Sequence, residues 1–276
     1  AQKCFQKVVN YYGDAYCDIK TDAEYYSALC AIEMFNKDAD YLITKFIAEH
    51  PESPKVKFAN FQMGKSQYRK KRYKKAIIWL EKVDTYNLSN EQLAEYYFKL
   101  GYSYFIRKDY EKAGKAFYEI KNADTKYSAP ASYYYSHIAY INKNYQTALE
   151  GFQKLTENEN FAPVVPYYIA QIYYFQKKYE KIIDYLPPLL DSATTKRKPE
   201  IARIIGVAYY YTSKYKEAVP YLEIYKNKSK FYTREDSYQL AYAYYRTQNY
   251  EKADTAFQKV TGKNDSLAQN AYYHLA

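Results

Sequence analysis

Apolar residues along the chain recur at helical spacing, and the whole pattern returns every 34 to 37 residues. In the copy that begins at Ala94, the apolar residues of the two halves are Tyr97, Leu100 and Tyr104, then Ala113, Phe117 and Ile120. Spacings of three or four residues place each set on one face of a helix. A short polar turn at Lys108 and Asp109 joins the halves. Each copy therefore predicts two antiparallel helices.

Seven such repeats, whose residues we number from position 1, fill most of the chain. They begin near Ala23, Lys57, Ala94, Ala129, Pro163, Pro199 and Arg234. Residues 1–22 match the second helix of a repeat plus a connector, and a partial repeat begins near Gln269. A period in this range is typical of stacked helix pairs, so we predict one continuous array over residues 1–276.

Two positions of each repeat carry small side chains. Position 8 is Cys30, Gly64, Gly101, Ser136, Ala170, Gly206 and Ala241, and position 20 is usually Ala. Small side chains at these positions let the paired helices approach closely. The same reasoning predicts that Cys30 is buried and inert.

Four prolines mark the starts of first helices, whereas a pair of prolines falls inside a second helix. Pro130, Pro163, Pro166 and Pro199 lie at or near the start of a first helix, where a missing N–H costs little. Pro187 and Pro188 instead lie at positions 25 and 26, inside a second helix. Because proline removes a helix hydrogen bond, we predict a shortened or bent helix there and a local change in superhelical pitch.

Composition is that of a folded chain without membrane-spanning or disulfide signatures. Hydrophobic residues make up 48% and charged residues 26%, with 41 Tyr but only seven Gly. The net charge of +10 favours acidic partners. No apolar run reaches the roughly 18 residues that a membrane span needs. The three Cys show no C-x-x-C spacing, which excludes the usual zinc and redox motifs.

Catalytic motifs are absent from the sequence. His50, His137 and His274 lie far apart, and no Gly-rich phosphate loop, H-E-x-x-H or G-x-S-x-G motif occurs. Cys4 and Cys17 lie in the irregular N-terminal part of the chain, outside any recognised thiol motif. We therefore expect no enzymatic activity, no cofactor and no metal.

The aromatic, Leu, Gly, Tyr, Ala and Phe residues at these offsets resemble the tetratricopeptide repeat family over essentially the whole chain. The resemblance implies an all-α solenoid, a right-handed superhelix of about seven antiparallel helix pairs with half repeats at both ends. It also implies that the first helices line the concave side. Members that bind acidic chaperone C-termini carry Lys at position 5 and Asn at position 9. Neither residue occurs there in any repeat, which argues against such an adaptor.

The same resemblance places positions 2, 5, 9, 12 and 13 on the concave side, where aromatic residues are frequent. The predicted partner-binding residues are Phe58, Phe61, Phe98, Tyr102, Tyr133, His137, Tyr140, Tyr167, Phe175, Tyr211, Tyr238 and Tyr242. Aromatic residues at positions 5 and 12 are also common for packing between repeats. Apolar residues at positions 2, 9 and 13 are the better indication of partner contact.

The leading hypothesis is a scaffold that binds a protein segment or domain on this aromatic face. A glycan binder of the cell envelope, and an architectural segment of a longer multi-repeat protein, remain alternatives. The composition resembles long multi-repeat proteins of the bacterial cell envelope, so a periplasmic or envelope location is expected. The apolar half repeats around Phe5, Val8, Tyr272 and Leu275 are expected to pack end to end with another copy or with further repeats.

A run of basic residues from Arg69 to Lys75 lies on the turn of the second repeat. It fits either a solvated turn or an electrostatic contact with an acidic protein, a membrane surface or nucleic acid. Nucleic acid is the less favoured partner, because the basic residues of other repeats scatter over separate turns and form no single track.

Overall fold

A computed structural model of the chain describes residues 1–13 and 17–276. These residues form sixteen α-helices and two 3₁₀ turns, and they contain no β-strand. They divide into two compact units, Ala1–Ile138 and Ala139–Ala276, which we describe separately. Residues 14–16, part of the connector predicted within residues 1–22, lie outside the described residues.

The first compact unit is a series of helix hairpins. Its helices are α1 (Gln2–Tyr12), α2 (Asp18–Glu33), α3 (Ala39–Glu49), α4 (Lys55–Arg69), α5 (Tyr73–Leu80), α6 (Asn90–Ile106), α7 (Tyr110–Ile120) and most of α8 (Ser128–Ile141). The pairs α2 and α3, α4 and α5, and α6 and α7 pack together as hairpins. A 3₁₀ turn, Thr85–Asn87, precedes α6.

The second compact unit repeats the arrangement. After the end of α8 come α9 (Tyr145–Gln153), α10 (Val165–Phe175), α11 (Tyr179–Tyr185), α12 (Lys198–Tyr211), α13 (Tyr215–Lys228), α14 (Arg234–Arg246), α15 (Tyr250–Gln258) and α16 (Ser266–Leu275). The pairs α10 and α11, α12 and α13, and α14 and α15 pack as hairpins.

Seven turns between helices are built on one backbone motif. Each contains a non-glycine residue with positive φ: Phe35, Lys71, Lys108, Lys143, Lys177, Ser213 and Gln248. At Lys108 the N–H donates to the Phe105 carbonyl, and the N–H of Asp109 donates to the Tyr104 carbonyl. This pair of bonds is the Schellman motif that ends a helix. It fixes where the second helix begins, and six second helices begin at Tyr73, Tyr110, Tyr145, Tyr179, Tyr215 and Tyr250.

Glycine at position 8 allows the paired helices to touch. A Cβ added to Gly206 would lie 2.8 Å from the Leu222 side chain, and one on Gly64 would lie 2.6 Å from Leu80. Leu80 and Leu222 occupy position 24 and are buried. The predicted close approach is therefore confirmed in these repeats.

The prediction for Cys30 is wrong, because this side chain is only half-buried. Ala28 is fully buried instead. The turn residue Phe35 lies seven residues after Ala28, as Lys71 follows Gly64. Ala28 therefore occupies the small slot, and the first repeat begins two residues earlier than its sequence pattern suggested. A longer turn before α3 hides this register, since α3 begins four residues after Phe35.

The paired prolines shorten their helix as predicted. Helix α11 ends at Tyr185, and a 3₁₀ turn over Pro187–Leu189 follows. Pro220, which the sequence pattern did not single out, lies inside α13 without ending it. Its exposed position lets the helix continue at the cost of one missing hydrogen bond.

Candidate interaction surface

First helices of successive repeats lie side by side within each compact unit. Helix α4 contacts α6 in the first unit, and α12 contacts both α10 and α14 in the second. Because residues three or four apart share a helix face, positions 5, 9 and 12 of neighbouring helices can form one surface. In the structure, aromatic side chains occupy many of these positions.

The first aromatic cluster lies in the first compact unit. It consists of Tyr68, Tyr73, Phe98, Tyr102, Phe105, Phe117 and Tyr134. Tyr102 is its centre. The Tyr102 ring centroid lies 5.7 Å from that of Tyr68, 5.8 Å from that of Tyr73 and 5.2 Å from that of Tyr134. All three contacts are edge-to-face, the geometry that ring quadrupoles favour.

The second aromatic cluster repeats this arrangement in the second compact unit. It consists of Tyr210, Tyr215, Tyr238, Tyr242, Tyr245, Phe257 and His274. Tyr242 takes the place of Tyr102, with ring centroids 5.8 Å from Tyr210, 5.5 Å from Tyr215 and 5.2 Å from His274. The seven members correspond position by position. The same arrangement therefore recurs once in each compact unit.

Position 6 is the member of these clusters that sequence reasoning missed. Tyr134, Tyr168 and His274 stack on the buried position-24 rings Phe117, Phe152 and Phe257. The centroid distances are 5.5, 4.9 and 5.3 Å, with interplanar angles of 18°, 13° and 21°. One sequence pattern could have predicted this stacking: an aromatic residue at position 6 follows a Phe at position 24 of the preceding repeat.

Most predicted partner-binding residues lie half-buried in ring contacts. They are Phe98, Tyr102, Tyr133 and His137 in the first unit, and Tyr140, Tyr167, Tyr238 and Tyr242 in the second. Phe58 is half-buried against the core that contains Phe46. Phe61 is only 1% exposed, because it packs into the core with Leu80 and Leu100. It offers no surface to a partner, and the expectation for Phe61 is withdrawn.

Most exposed apolar side chains of the predicted face lie at position 13; Tyr245, at position 12, is 38% exposed. We call Ile141, Phe175 and Tyr211 of the second compact unit the position-13 row; they are 38%, 52% and 55% exposed, and Ile106, at the same position in the first unit, is 43% exposed. In the second compact unit, Phe175 stacks on Tyr145 at 6.1 Å and Tyr211 stacks on Tyr179 at 4.9 Å. In these two repeats, the tyrosine that begins the preceding second helix thus supports the position-13 side chain.

Charged groups flank the first aromatic cluster. Glu95 lies 3.2 Å from the Lys65 ammonium and 3.5 Å from that of Lys99, which lies 4.5 Å over the Tyr68 ring. Burial lowers the pKa of Lys99, partly offset by Glu95. Burial, followed by the charge of Glu95, raises the pKa of Tyr127 to about 12. The phenol remains neutral, so it can donate a hydrogen bond at neutral pH.

The three histidines have separate surroundings. Burial lowers the pKa of both His137 and His274, so both are neutral near pH 7. His50 is buried and its Nε2 lies 2.6 Å from a Glu24 carboxylate oxygen. Glu24, Glu49 and His50 are the one group in the described part of the chain whose ligand-type atoms lie within 4.8 Å of one another. In this group, Nε2 of His50 and the carboxylate of Glu24 are hydrogen-bonded to each other.

Two identical polar contacts join successive hairpins. The Tyr104 hydroxyl donates to Glu81, and the Tyr244 hydroxyl donates to Glu223, each at 2.5 Å. A lysine at position 19 lies 5.3 Å over each tyrosine ring. Burial and then the carboxylate raise the pKa of both tyrosines. These contacts fix the spacing of hairpins and hence of the rings they carry.

Comparison with known proteins agrees with this geometry. Residues 94–127 and 237–265 match the sequence profiles of the tetratricopeptide repeat. No curated protein sequence matches the chain significantly. Among residues 1–13 and 17–276, no helix combines the length and apolar character needed to cross a bilayer.

Solved structures with the same fold come from several bacteria. A tetratricopeptide repeat protein from Parabacteroides merdae is 15% identical, with 92% of this chain and 98% of that one covered and a TM-score of 0.51. The C-terminal part of a repeat-containing protein from Cytophaga hutchinsonii is 16% identical, with 91% and 99% covered and a TM-score of 0.58. Pseudomonas aeruginosa pilF is 13% identical, with 79% and 97% covered and a TM-score of 0.52. The repeat matches and the shared helical fold identify this chain as a tetratricopeptide repeat protein.

Proposed function

We propose that the chain binds a protein segment on the position-13 row, without catalysing a reaction. The tetratricopeptide fold supports a protein-interaction scaffold in general. The observation that carries the specific proposal is the row itself: three successive repeats expose an apolar side chain at the same position within the second compact unit. Exposed apolar surface of this kind is costly in water and typical of interaction sites.

Support beneath the row favours tight binding. Phe175 and Tyr211 each stack on a tyrosine anchored at the first residue of a helix. A side chain held by stacking loses little conformational freedom when a partner docks, so more of its contact energy appears as affinity. The rings of Tyr102 and Tyr242 are half-buried and would give a partner limited direct contact.

A cell-envelope glycan is the second candidate ligand. Tyr211 is 55% exposed although it stacks on Tyr179, which leaves part of its ring for a sugar. A sugar ring could stack there through its apolar face. Such a ligand would fit the predicted envelope location, which stays an expectation. An architectural role in a longer protein also stays open as an alternative.

Affinity capture with a matched control separates these candidates. The row variant carries Ile141→Ala, Phe175→Ala and Tyr211→Ala; the control carries Tyr41→Ala, Tyr86→Ala and Tyr118→Ala, which are also exposed. Partners captured from native cell extract are then purified and titrated against each protein. The row variant should lose binding and the control should keep it. Equal binding by both would refute the proposal, and binding to purified cell-wall glycan alone would favour the second candidate.

A further inference from the structure

The basic run of the second repeat divides into a neutralised part and a free part. Arg69 pairs with Glu33 at 3.1 Å, and Lys70 and Arg72 pair with Asp40 at 2.8 and 3.6 Å. Lys71, Lys74 and Lys75 have no ion-pair partner among residues 1–13 and 17–276, and neither does Arg107 from the next repeat.

The free cations meet in one cleft with an apolar component. Lys71, Lys74, Lys75 and Arg107 line a cavity of about 500 Å³ together with Tyr73 and Ile106. We call this the basic cleft. Ile106 holds position 13 of its repeat and is 43% exposed. The cleft therefore combines an exposed apolar side chain with a strongly positive surface.

Helix stability does not explain these lysines. Lys74 and Lys75 lie in the first turn of α5, where the helix dipole disfavours positive charge. Four other second helices carry a glutamate in the first turn: Glu111, Glu180, Glu217 and Glu251. Helix α5 reverses that pattern at the place where the cleft forms.

We propose that the basic cleft binds an acidic protein segment that carries an apolar anchor residue. The anchor packs against Ile106 and Tyr73, and flanking carboxylates pair with Lys71, Lys74, Lys75 and Arg107. This assignment names the partner chemistry and rests on the proposed function of the row. It differs from binding at concave positions 5 and 9, since all its cations lie on or beside the turn between helices.

A protein segment fits the cleft better than nucleic acid does. A strand of nucleic acid presents evenly spaced phosphates and calls for a track of cations. Here the cations surround one cavity that also contains an isoleucine and a tyrosine. An apolar anchor with neighbouring carboxylates satisfies both features at once.

Fluorescence anisotropy with synthetic peptides tests the assignment. The probe is a labelled 12-residue peptide of Glu and Asp with two central Leu, titrated with wild type, Lys74→Glu/Lys75→Glu, and the control Lys177→Glu/Lys178→Glu. Both variants change two exposed lysines at or beside the turn between helices and alter net charge equally. Circular dichroism checks the fold of each. The Lys74→Glu/Lys75→Glu variant should bind about 10-fold or more weakly, while the control should match wild type.

Three outcomes would overturn the proposal. Equal losses in both variants would show that net charge alone attracts the peptide. Unchanged affinity after replacement of both Leu of the peptide by Ser would show that the cleft does not bind an apolar anchor residue. Tighter binding of single-stranded DNA, lost with the same lysines, would assign the cleft to nucleic acid. Because Phe175→Ala/Tyr211→Ala leaves this cleft intact, loss of the native partner in that variant reports on the row alone.

Discussion

At the scale of single residues, contacts that recur between repeats restrict which side chains fit. Gly64 and Gly206 face the leucines at position 24 of their own hairpins. Tyr104 and Tyr244 make the same hydrogen bond to a glutamate of the preceding repeat. Each contact is local, and its repetition sets the spacing of the array.

Adding one methyl group at position 8 should destabilise the protein. In Gly206→Ala, the new Cβ would lie 2.8 Å from the Leu222 side chain and 3.1 Å from its backbone nitrogen. We expect a loss of about 1–3 kcal/mol in the free energy of unfolding, measured with urea. Gly114→Ala is the control, since its Cβ meets nothing closer than 4.0 Å in helix α7. It should gain about 0.5–1 kcal/mol, and equal effects at both sites would contradict the packing described here.

Acid should weaken the contact between Arg234 and Asp265. Arg234 lies 2.7 Å from this carboxylate and lowers the pKa of Asp265 from 3.8 to about 2. Because the folded pKa is the lower one, the stabilisation is complete above about pH 4 and disappears as pH falls towards 2. Asp265→Asn should therefore be less stable than wild type at pH 7, with the difference closing between pH 4 and 2 in urea titrations. A difference that persists at pH 2 would contradict this assignment.

At the scale of elements, the sequence pattern predicted the helices well because apolar spacing records which face is buried. It placed a second helix after each short polar turn and anticipated a shortened or bent helix at Pro187 and Pro188, where α11 ends at Tyr185. It failed where the backbone conformation of a turn sets the register of the repeat. The positive φ of Phe35 and the longer turn before α3 moved the small slot from Cys30 to Ala28. Lysine, serine and glutamine at such turns give no sequence signal of this conformation.

The candidate surface was less predictable than the helices. Side chains whose spacing places them on the same predicted face differ in how deeply they are buried: Phe61 is 1% exposed and Phe175 is 52% exposed. The depth depends on which ring of the neighbouring repeat covers each one, and that is a contact across about 35 residues of sequence. Position 13 was among the predicted positions, whereas the stacking at position 6 emerged only in three dimensions.

Replacing Pro220 should strengthen helix α13. This exposed proline is the sixth residue of the helix and has no N–H to donate to the carbonyl of Lys216. Pro220→Ala should raise the free energy of unfolding by about 1–3 kcal/mol, because the missing bond forms. Pro188→Ala, in the exposed part of the 3₁₀ turn after α11, serves as the control and should change stability little. A greater gain at Pro188 would be inconsistent with the two helix assignments.

At the scale of the whole molecule, each compact unit carries its own copy of the aromatic cluster. The clusters centre on Tyr102 and Tyr242 and match ring for ring. The second unit carries the exposed apolar side chains of the position-13 row, and the first unit carries the basic cleft with its exposed Ile106. We infer that the two units offer a partner different chemistry, apolar side chains in the second and positive charge around an apolar side chain in the first.

The most direct test of this account is the affinity of the captured partner for three purified proteins, measured by isothermal titration calorimetry. They are wild type, the variant Phe175→Ala/Tyr211→Ala, and the control Tyr86→Ala/Tyr118→Ala, whose rings are also exposed. Loss of two exposed aromatic contacts should raise Kd about 10- to 100-fold in the row variant and leave the control at the wild-type value. The same Kd for all three proteins would contradict the central claim that the position-13 row binds the partner.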